Sequence, residues 1–233
     1  MAEKIPLVLL PGLLCDEKLW APQMQALSDM ADCQVADLTR HESVKEMAAS
    51  ALEAAPEKFA LAGLSMGGYV AQEIMRQAPE RVMRLALLDT SPRADTEEQS
   101  VRRRGLIDLA QKGRFKGVTP RLLPLLIHPD RQEDEKLTSI IFAMAEHVGM
   151  DGFIRQQKAI MGRPDGRADL AKIAAPTLVL CGRQDALTPL DLHKEMAAGI
   201  AGSRLVVIEE SGHLPTLERP AEVNMALREW LRG

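Results

Sequence analysis

Short apolar runs alternate with longer stretches of helical periodicity along most of this 233-residue chain. Such alternation predicts a parallel β-sheet whose strands are joined by crossover helices. Several runs are almost continuously apolar, as expected for strands that are buried on both faces of a sheet. We therefore predict an α/β fold with six strands, at residues 5–10, 33–38, 59–64, 84–89, 177–181 and 204–208.

The alternation is interrupted in the middle of the chain, where no run has the pattern of a strand. This stretch instead carries apolar residues at helical spacing, among them Leu137, Ile141, Met144 and Val148. Polar borders that contain proline and glycine flank it, and such segments commonly separate structural units. We predict an α/β core at residues 1–90 and 175–233, with a helical cap inserted at residues 91–174.

The composition argues against several classes of partner. Aromatic residues make up only 3% of the chain, which leaves few platforms for stacking nucleic-acid bases. A formal net charge of -4 offers no general attraction to nucleic acid or to an anionic membrane. We expect a small-molecule partner, no nucleic acid and no membrane. The oligomeric state is left open.

The cysteines and the N-terminal residues bear on localisation. Cys15, Cys33 and Cys181 are odd in number and lack paired spacing, which argues against a disulfide framework or a metal site. Reduced thiols are typical of cytoplasmic proteins. The apolar run at residues 5–10 is too short for a signal peptide or a membrane span. We expect a cytoplasmic protein.

The strongest local motif is Gly-Leu-Ser-Met-Gly-Gly at residues 63–68, between a predicted strand and a predicted helix. A G-x-S-x-G sequence in that context is typical of a nucleophile elbow, a sharp turn that exposes the serine hydroxyl. The motif also occurs by chance in glycine-rich turns without chemistry. The flanking strand and helix favour Ser65 as a nucleophile.

A serine at its ordinary pKa needs a neighbouring imidazole, which is itself oriented by a carboxylate. His213 follows the last predicted strand, and Asp185 follows the strand before it. Both lie at carboxyl ends of strands, the edge where open α/β sheets bind ligands. Asp89, at the end of the fourth strand, is a second candidate for the acid. The other histidines are interpreted as ordinary core or surface residues: His41, His128, His147 and His193.

The chain order Ser65, Asp185, His213 is the one that α/β-hydrolases use. The sequence resembles that family with a helical cap over nearly its whole length. The resemblance rests on Leu-Pro-Gly-Leu-Leu-Cys-Asp at residues 10–16, the serine motif, Leu-Asp-Thr-Ser at residues 88–91 and Ser-Gly-His-Leu-Pro at residues 211–215. Within the family it is most similar to small bacterial carboxylesterases of the pimeloyl-ester methylesterase kind and to 3-oxoadipate enol-lactonases. We expect the edge strands that usually precede the first predicted strand in this family to be absent.

The resemblance implies further site residues. The oxyanion of acyl transfer would be bound by two backbone N–H groups, those of Leu13 and Met66. Leu14 offers a second donor from the same loop and, with Trp20, is a candidate substrate contact, although Trp20 is equally expected in the core. The family usually has His-Gly where this chain has Pro11-Gly12, which removes a side chain that could brace the loop.

The resemblance implies a serine hydrolase that cleaves small carboxylic esters through an acyl-enzyme intermediate. An enol-lactonase, a thioesterase, a carbon–carbon bond hydrolase or a perhydrolase would share this triad, and a non-catalytic small-molecule receptor on the same scaffold is a further alternative. Serine at the elbow argues against dehalogenases and epoxide hydrolases, which use aspartate there. We expect no cofactor and no metal. The low aromatic content predicts an aliphatic, methionine-lined acyl pocket.

Two groups of residues in the predicted cap are candidates for contact with the substrate. Most apolar residues of the cap are expected to pack its own helices, and a few to face the pocket: Leu122, Leu123, Leu125, Leu126, Ile141, Met144, Phe153 and Met161. Arg102, Arg103 and Arg104 could contact an acidic substrate or carrier. A solvated helix face is the simpler interpretation.

Overall fold

The computed structural model describes residues 4–233. They form one sheet of six strands in the order β2-β1-β3-β4-β5-β6, with every neighbouring pair parallel. The predicted α/β fold is confirmed. The strands are β1 (Ile5–Leu10), β2 (Ala31–Val35), β3 (Phe59–Leu64), β4 (Val82–Leu88), β5 (Thr177–Gly182) and β6 (Arg204–Ile208).

Nine α-helices connect or follow the strands in the described part of the chain. They are α1 (Ala21–Ala26), α2 (Val44–Ala54), α3 (Met66–Gln77), α4 (Glu97–Leu109), α5 (Leu123–Leu126), α6 (Glu135–Met161), α7 (Leu190–Gly199), α8 (Pro215–Glu218) and α9 (Pro220–Arg232). Local sequence explains several starts, since Ser43 and Thr96 accept backbone N–H bonds at the first turns of α2 and α4. Short 3₁₀ or π turns lie at Glu17–Trp20, Pro79–Arg81, Ala110–Arg114, Pro120–Leu122, Pro129–Arg131 and Arg167–Lys172.

The second strand was predicted too late in the sequence. We expected it at residues 33–38, whereas β2 covers Ala31–Val35 and its last ladder bond runs from the Ala36 N–H to the Leu9 carbonyl. Strand β1 ends at Leu10, so later residues have no partner strand. Leu38 is buried in the core without belonging to the sheet.

Alternate residues of the strands pack into two cores, one on each face of the sheet. Leu7 and Leu9 belong to the core that also holds residues of α1 and α9, whereas Val8 and Leu10 belong to the core beneath α2, α3 and α7. Strands β3 and β5 are buried at every position, as predicted for the interior of a parallel sheet.

The segment between β4 and β5 is helical and contains no strand, as the sequence predicted. Its longest element, α6, is interrupted at Gly149, whose φ of 68° and ψ of -178° are not helical. By length and composition alone α6 could cross a membrane, yet Ile141 and Met144 are packed in the protein core. The exact division into a core and a cap at residues 91–174 stays a prediction.

Candidate active site

Ser65 lies in a strained turn between β3 and α3. Its φ of 56° and ψ of -115° place Ser65 in a backbone conformation that residues other than glycine rarely adopt. The turn is possible because Gly63 and Gly67 lack side chains: a Cβ on Gly67 would overlap the carbonyl group of Leu10, and one on Gly63 would overlap the backbone of Gly67. This geometry has the form of the predicted nucleophile elbow.

The imidazole of His213 lies between Ser65 and Asp185. Its Nε2 is 2.8 Å from Ser65 Oγ, and its Nδ1 is 2.8 Å from Asp185 Oδ2. The histidine follows β6 and the aspartate follows β5, so the carboxyl ends of neighbouring strands bring them together. His213 is only 4% exposed and Asp185 5% exposed, which shields both from water.

Asp185 is held as a charged carboxylate by its neighbours. Burial acts to raise its pKa, but the His213 ring and the donors of Thr188 lower the pKa to about 2. Oδ1 accepts the N–H groups of Leu187 and Thr188, at 2.8 Å and 3.0 Å, and the Thr188 hydroxyl donates to Oδ2. Pro189 is the N-cap of α7, so Thr188 does not cap this helix and its donors orient the carboxylate.

Asp89 lies beside this pair without bonding to the imidazole. One of its carboxyl oxygens is within 4.8 Å of Asp185 and His213, and its Oδ1 accepts the N–H of Gly182 at 2.8 Å. Burial and the nearby Asp185 carboxylate raise the pKa of Asp89 well above its ordinary value. Asp185, the first candidate from the sequence, is therefore the charged partner of the histidine.

The same three side chains are a potential metal-ligating group, because their ligand atoms lie within 4.8 Å of one another. Both ring nitrogens of His213 are already engaged, one by Ser65 and the other by Asp185. A metal ion would have to break one of these hydrogen bonds. The geometry thus favours a proton-transfer chain over a metal centre.

The loop after β1, residues 11–16, lies against the serine, and we refer to it as the β1 loop. A Cβ on Gly12 would stand 3.4 Å from Ser65 Cβ. In the described part of the chain the N–H groups of Leu13 and Met66 take part in no hydrogen bond. They are the two donors predicted for an oxyanion, and Met66 begins α3, where N–H groups point out of the helix.

Two predicted contacts from this region need correction. The N–H of Leu14 donates to Gln156 Oε1 at 3.0 Å, so it is not available as a second oxyanion donor. Trp20 is completely buried in the core with Leu19 and Leu27, which removes it from any surface that a substrate could reach. Trp20, which follows the β1 loop in the sequence, is thus a packing residue of the core.

A comparison with known proteins agrees with this geometry. Residues 7–226 match the model of the "Alpha/beta hydrolase family". The chain belongs to the α/β-hydrolase family. A curated relative, the pimeloyl-[acyl-carrier protein] methyl ester esterase of Aliivibrio salmonicida, is 28% identical, and the match covers 97% of this chain and 92% of that protein.

Solved structures place this hydrolase among esterases. A thermophilic esterase from Thermogutta terrifontis superposes with a TM-score of 0.89 and is 30% identical, covering 100% of this chain and 91% of that one. The enol-lactonase from Burkholderia xenovorans LB400 has a TM-score of 0.84 at 24% identity, covering 100% and 93% of the two chains, and supports the fold alone. The protein is therefore a hydrolase of the esterase type.

Glu218 is a residue of the hydrolase site that the sequence reasoning did not single out. Its Oε1 accepts the N–H of Gly212 at 2.8 Å and the Ser211 hydroxyl at 3.2 Å, and its Oε2 accepts the N–H of His128 at 2.6 Å. The His213 N–H also donates to the Leu126 carbonyl. A buried glutamate thus anchors the loop that carries His213 to the helical segment. Its position five residues after His213 was the only feature of the sequence that could have pointed to this role.

The remaining polar candidates of the hydrolase have other roles. Burial lowers the pKa of His193 to about 4, and its neutral Nε2 accepts the N–H of Thr90 at 3.0 Å. Burial raises the pKa of Cys15 and Cys181, so neither thiol is an activated nucleophile. Arg103 binds Asp95 within the helical segment.

The apolar residues of the predicted cap were expected to pack mostly against its own helices, but several of them belong to the core beside the sheet. Leu123, Ile141, Met144 and Phe153 are buried against other side chains. Leu122 and Leu125 are exposed, at 40% and 36%. Leu126 is half-buried next to the loop of the histidine, which its carbonyl contacts. Four of the eight residues are therefore buried, and Leu123, Ile141 and Met144 lie in the core that also holds residues of the strands.

Proposed function

We propose that the protein is a serine hydrolase that cleaves small carboxylic esters through an acyl-enzyme intermediate. The observation that carries this proposal is the continuous hydrogen-bonded row from Ser65 Oγ through both nitrogens of His213 to Asp185 Oδ2, with 2.8 Å at each link. The spacing is that of a nucleophile, a general base and an orienting acid. A cytoplasmic location is part of the proposal and rests on the three free cysteines.

The geometry supports the following sequence of steps. Ser65 Oγ attacks the ester carbonyl carbon while His213 Nε2 takes the hydroxyl proton. The carbon–oxygen bond to the alcohol breaks, and His213 returns the proton to the leaving oxygen. A water molecule then attacks the acyl-enzyme by the same route and releases the acid. Asp185 keeps the proton of the neutral imidazole on Nδ1 and stabilises the imidazolium.

The negative oxygen of each tetrahedral intermediate is bound, in this proposal, by the N–H groups of Leu13 and Met66. Among residues 4–233 neither group has another hydrogen-bond partner. Met66 follows Ser65 directly, and Gly12, the neighbour of Leu13, lies against the Ser65 side chain. Removing one such donor from an enzyme typically costs about 10²- to 10³-fold in kcat. The helical segment between β4 and β5, which we propose to be the cap, would limit the size of the acyl group.

The proposal predicts covalent labelling and a preference for short acyl chains. A fluorophosphonate should attach one phosphonyl group per chain, because Ser65 Oγ displaces fluoride with His213 taking the proton. Among p-nitrophenyl esters, acetate and butyrate should have a higher kcat/KM than long-chain esters. Intact-mass spectrometry and steady-state kinetics measure the two effects, with a methyl ester, a thioester and an enol-lactone as further substrates.

Three outcomes of that experiment are informative. Absence of both adduct and turnover would contradict catalysis and favour a small-molecule receptor on the same scaffold. Labelling with turnover only of the thioester or the lactone would keep the mechanism and reject the ester as substrate. Equal kcat/KM for short and long chains would reject the proposed size limit.

The two buried aspartates should differ sharply when each is replaced by asparagine. Asp185→Asn is expected to lower kcat about 10⁴-fold, since an amide cannot hold the imidazole in the tautomer with its proton on Nδ1. Asp89→Asn is expected to stay within about tenfold of wild type, because both ring nitrogens of His213 are hydrogen-bonded to other residues and Asp89 is bonded to the Gly182 N–H. Kinetics with p-nitrophenyl butyrate measure both. A greater loss for Asp89→Asn would transfer the acid role to that residue.

A further inference from the structure

The β1 loop contains a turn that its own sequence does not favour. Residues 12–15 form a four-residue turn in which the Cys15 N–H donates to the Gly12 carbonyl at 3.1 Å. Its third residue, Leu14, has a φ of 58°. A positive φ at this position is typical of a type II turn, which ordinarily has glycine or asparagine there. A leucine in this place needs support from elsewhere in the fold.

That support comes from Gln156 on α6. The side chain is completely buried, its Oε1 accepts the Leu14 N–H at 3.0 Å, and its Nε2 donates to the Leu38 carbonyl at 3.2 Å. One partner is a donor and the other an acceptor, so the carboxamide fits in only one orientation. The amide therefore holds the central peptide of the turn from outside the loop.

The bond between Gln156 and the Leu14 N–H bears on the proposed oxyanion site, because the peptide that carries the Leu14 N–H follows directly after the peptide that carries the Leu13 N–H. The Leu14 N–H that Gln156 binds belongs to the peptide between Leu13 and Leu14. If that peptide rotated, the turn could relax toward the type I form that leucine accepts without strain. The Leu13 N–H belongs to the preceding peptide of this turn, and the two peptides meet at the Leu13 Cα.

We propose that Gln156 is a positioning residue that fixes the β1 loop so that the Leu13 N–H points at the oxyanion. This inference rests on the proposed function, in which Leu13 supplies one oxyanion donor. Gln156 would take the bracing role that is lost where this chain has Pro11-Gly12. It would also make transition-state binding depend on the placement of α6.

Two other contacts join the helical segment to the same loop. His147, on α6, has its Nδ1 2.7 Å from Oδ2 of Asp16, the last residue of the loop. The Leu14 side chain packs in a small apolar cluster with Ala145 and Phe153, also on α6. The loop is thus held by one helix through its backbone, its acidic end and its apolar side chain.

The test compares Gln156→Met with Gln157→Met. Gln157 is the next residue on α6, is also buried at 2% exposure, and accepts a bond from Arg103 instead of the β1 loop. Both variants remove a buried amide of the same size, but only Gln156→Met removes a bond to the β1 loop. We expect kcat to fall about 10- to 100-fold in Gln156→Met, with KM within about threefold, and to stay within about twofold in Gln157→Met.

A boronic acid gives a second readout, because its adduct with serine mimics the tetrahedral intermediate. Its inhibition constant should rise in Gln156→Met by the same factor by which kcat/KM falls. Gln156→Glu keeps an oxygen for the Leu14 N–H, and burial favours its neutral form, which can also donate to Leu38. It should recover kcat to within about threefold of wild type. A loss as large as that of Gln156→Met would contradict the proposal.

Hydrogen exchange separates this inference from the proposed function. The Leu14 amide should exchange at least tenfold faster in Gln156→Met than in Gln157→Met, whether or not the protein hydrolyses esters. Equal exchange would overturn the positioning role. If wild type is active and Ser65→Ala is inactive, but Gln156→Met matches Gln157→Met in kcat, the inference fails while the proposed function stands. If wild type shows neither turnover nor labelling, the proposed function fails.

Discussion

Ser65→Ala is expected to lower kcat/KM for p-nitrophenyl butyrate by about 10⁴-fold or more, leaving only catalysis by the remaining groups of the site. The Ser65 hydroxyl is hydrogen-bonded to His213 and is the proposed nucleophile, so its removal abolishes formation of the acyl-enzyme. The fold should persist, because the Ser65 N–H still donates to the Leu88 carbonyl and alanine is no larger than serine. Initial-rate kinetics together with circular dichroism measure the two effects.

A matched control is Ser139→Ala, which makes the same chemical change at an exposed position of α6. Its kcat/KM should remain within about twofold of wild type. Turnover by Ser65→Ala close to that of Ser139→Ala would contradict the serine mechanism. Loss of activity with loss of the circular dichroism signal would show that the substitution unfolds the protein, and fluorophosphonate labelling of wild type would then decide whether Ser65 reacts.

Gly67→Ala is expected to reduce the free energy of unfolding by about 3–5 kcal/mol, the upper range for a single substitution. The added Cβ would overlap the carbonyl group of Leu10, and this backbone cannot move unless β1 and α3 separate. Burial on both sides prevents that separation, since Leu10 and Met66 are completely buried. Urea denaturation at constant pH measures the change.

Gly105→Ala is the control for this prediction. Gly105 lies within α4 and is exposed, and in the described part of the chain no other atom lies within 4 Å of where an alanine Cβ would stand. Alanine there should raise the free energy of unfolding by about 0.5–1 kcal/mol, because glycine loses more backbone entropy in a helix. If the two variants were equally stable, the close contact between the elbow and β1 would not be a constraint on the fold.

The sequence alone was sufficient for the fold class because its signals are local. Apolar runs mark strands that are buried on both faces, and the residues at 63–68 predict a tight turn whatever surrounds them. The placement of Asp185 and His213 was also predictable, because carboxyl ends of parallel strands meet at one edge of a sheet. The boundary of β2 was not, since it depends on where the partner strand β1 stops.

Only the tertiary structure decided how these parts contact one another. Leu14 and Gln156 are 142 residues apart, and no pattern along the chain relates the turn of one to the amide of the other. The same holds for the two buried aspartates, since burial and neighbouring groups raise the pKa of Asp89 and the bonds to His213 and Thr188 lower that of Asp185. Short-range patterns thus determined the elements and the order of the reactive residues. Side-chain direction, burial and hydrogen-bond partners depended on packing between distant segments, which no local pattern encodes.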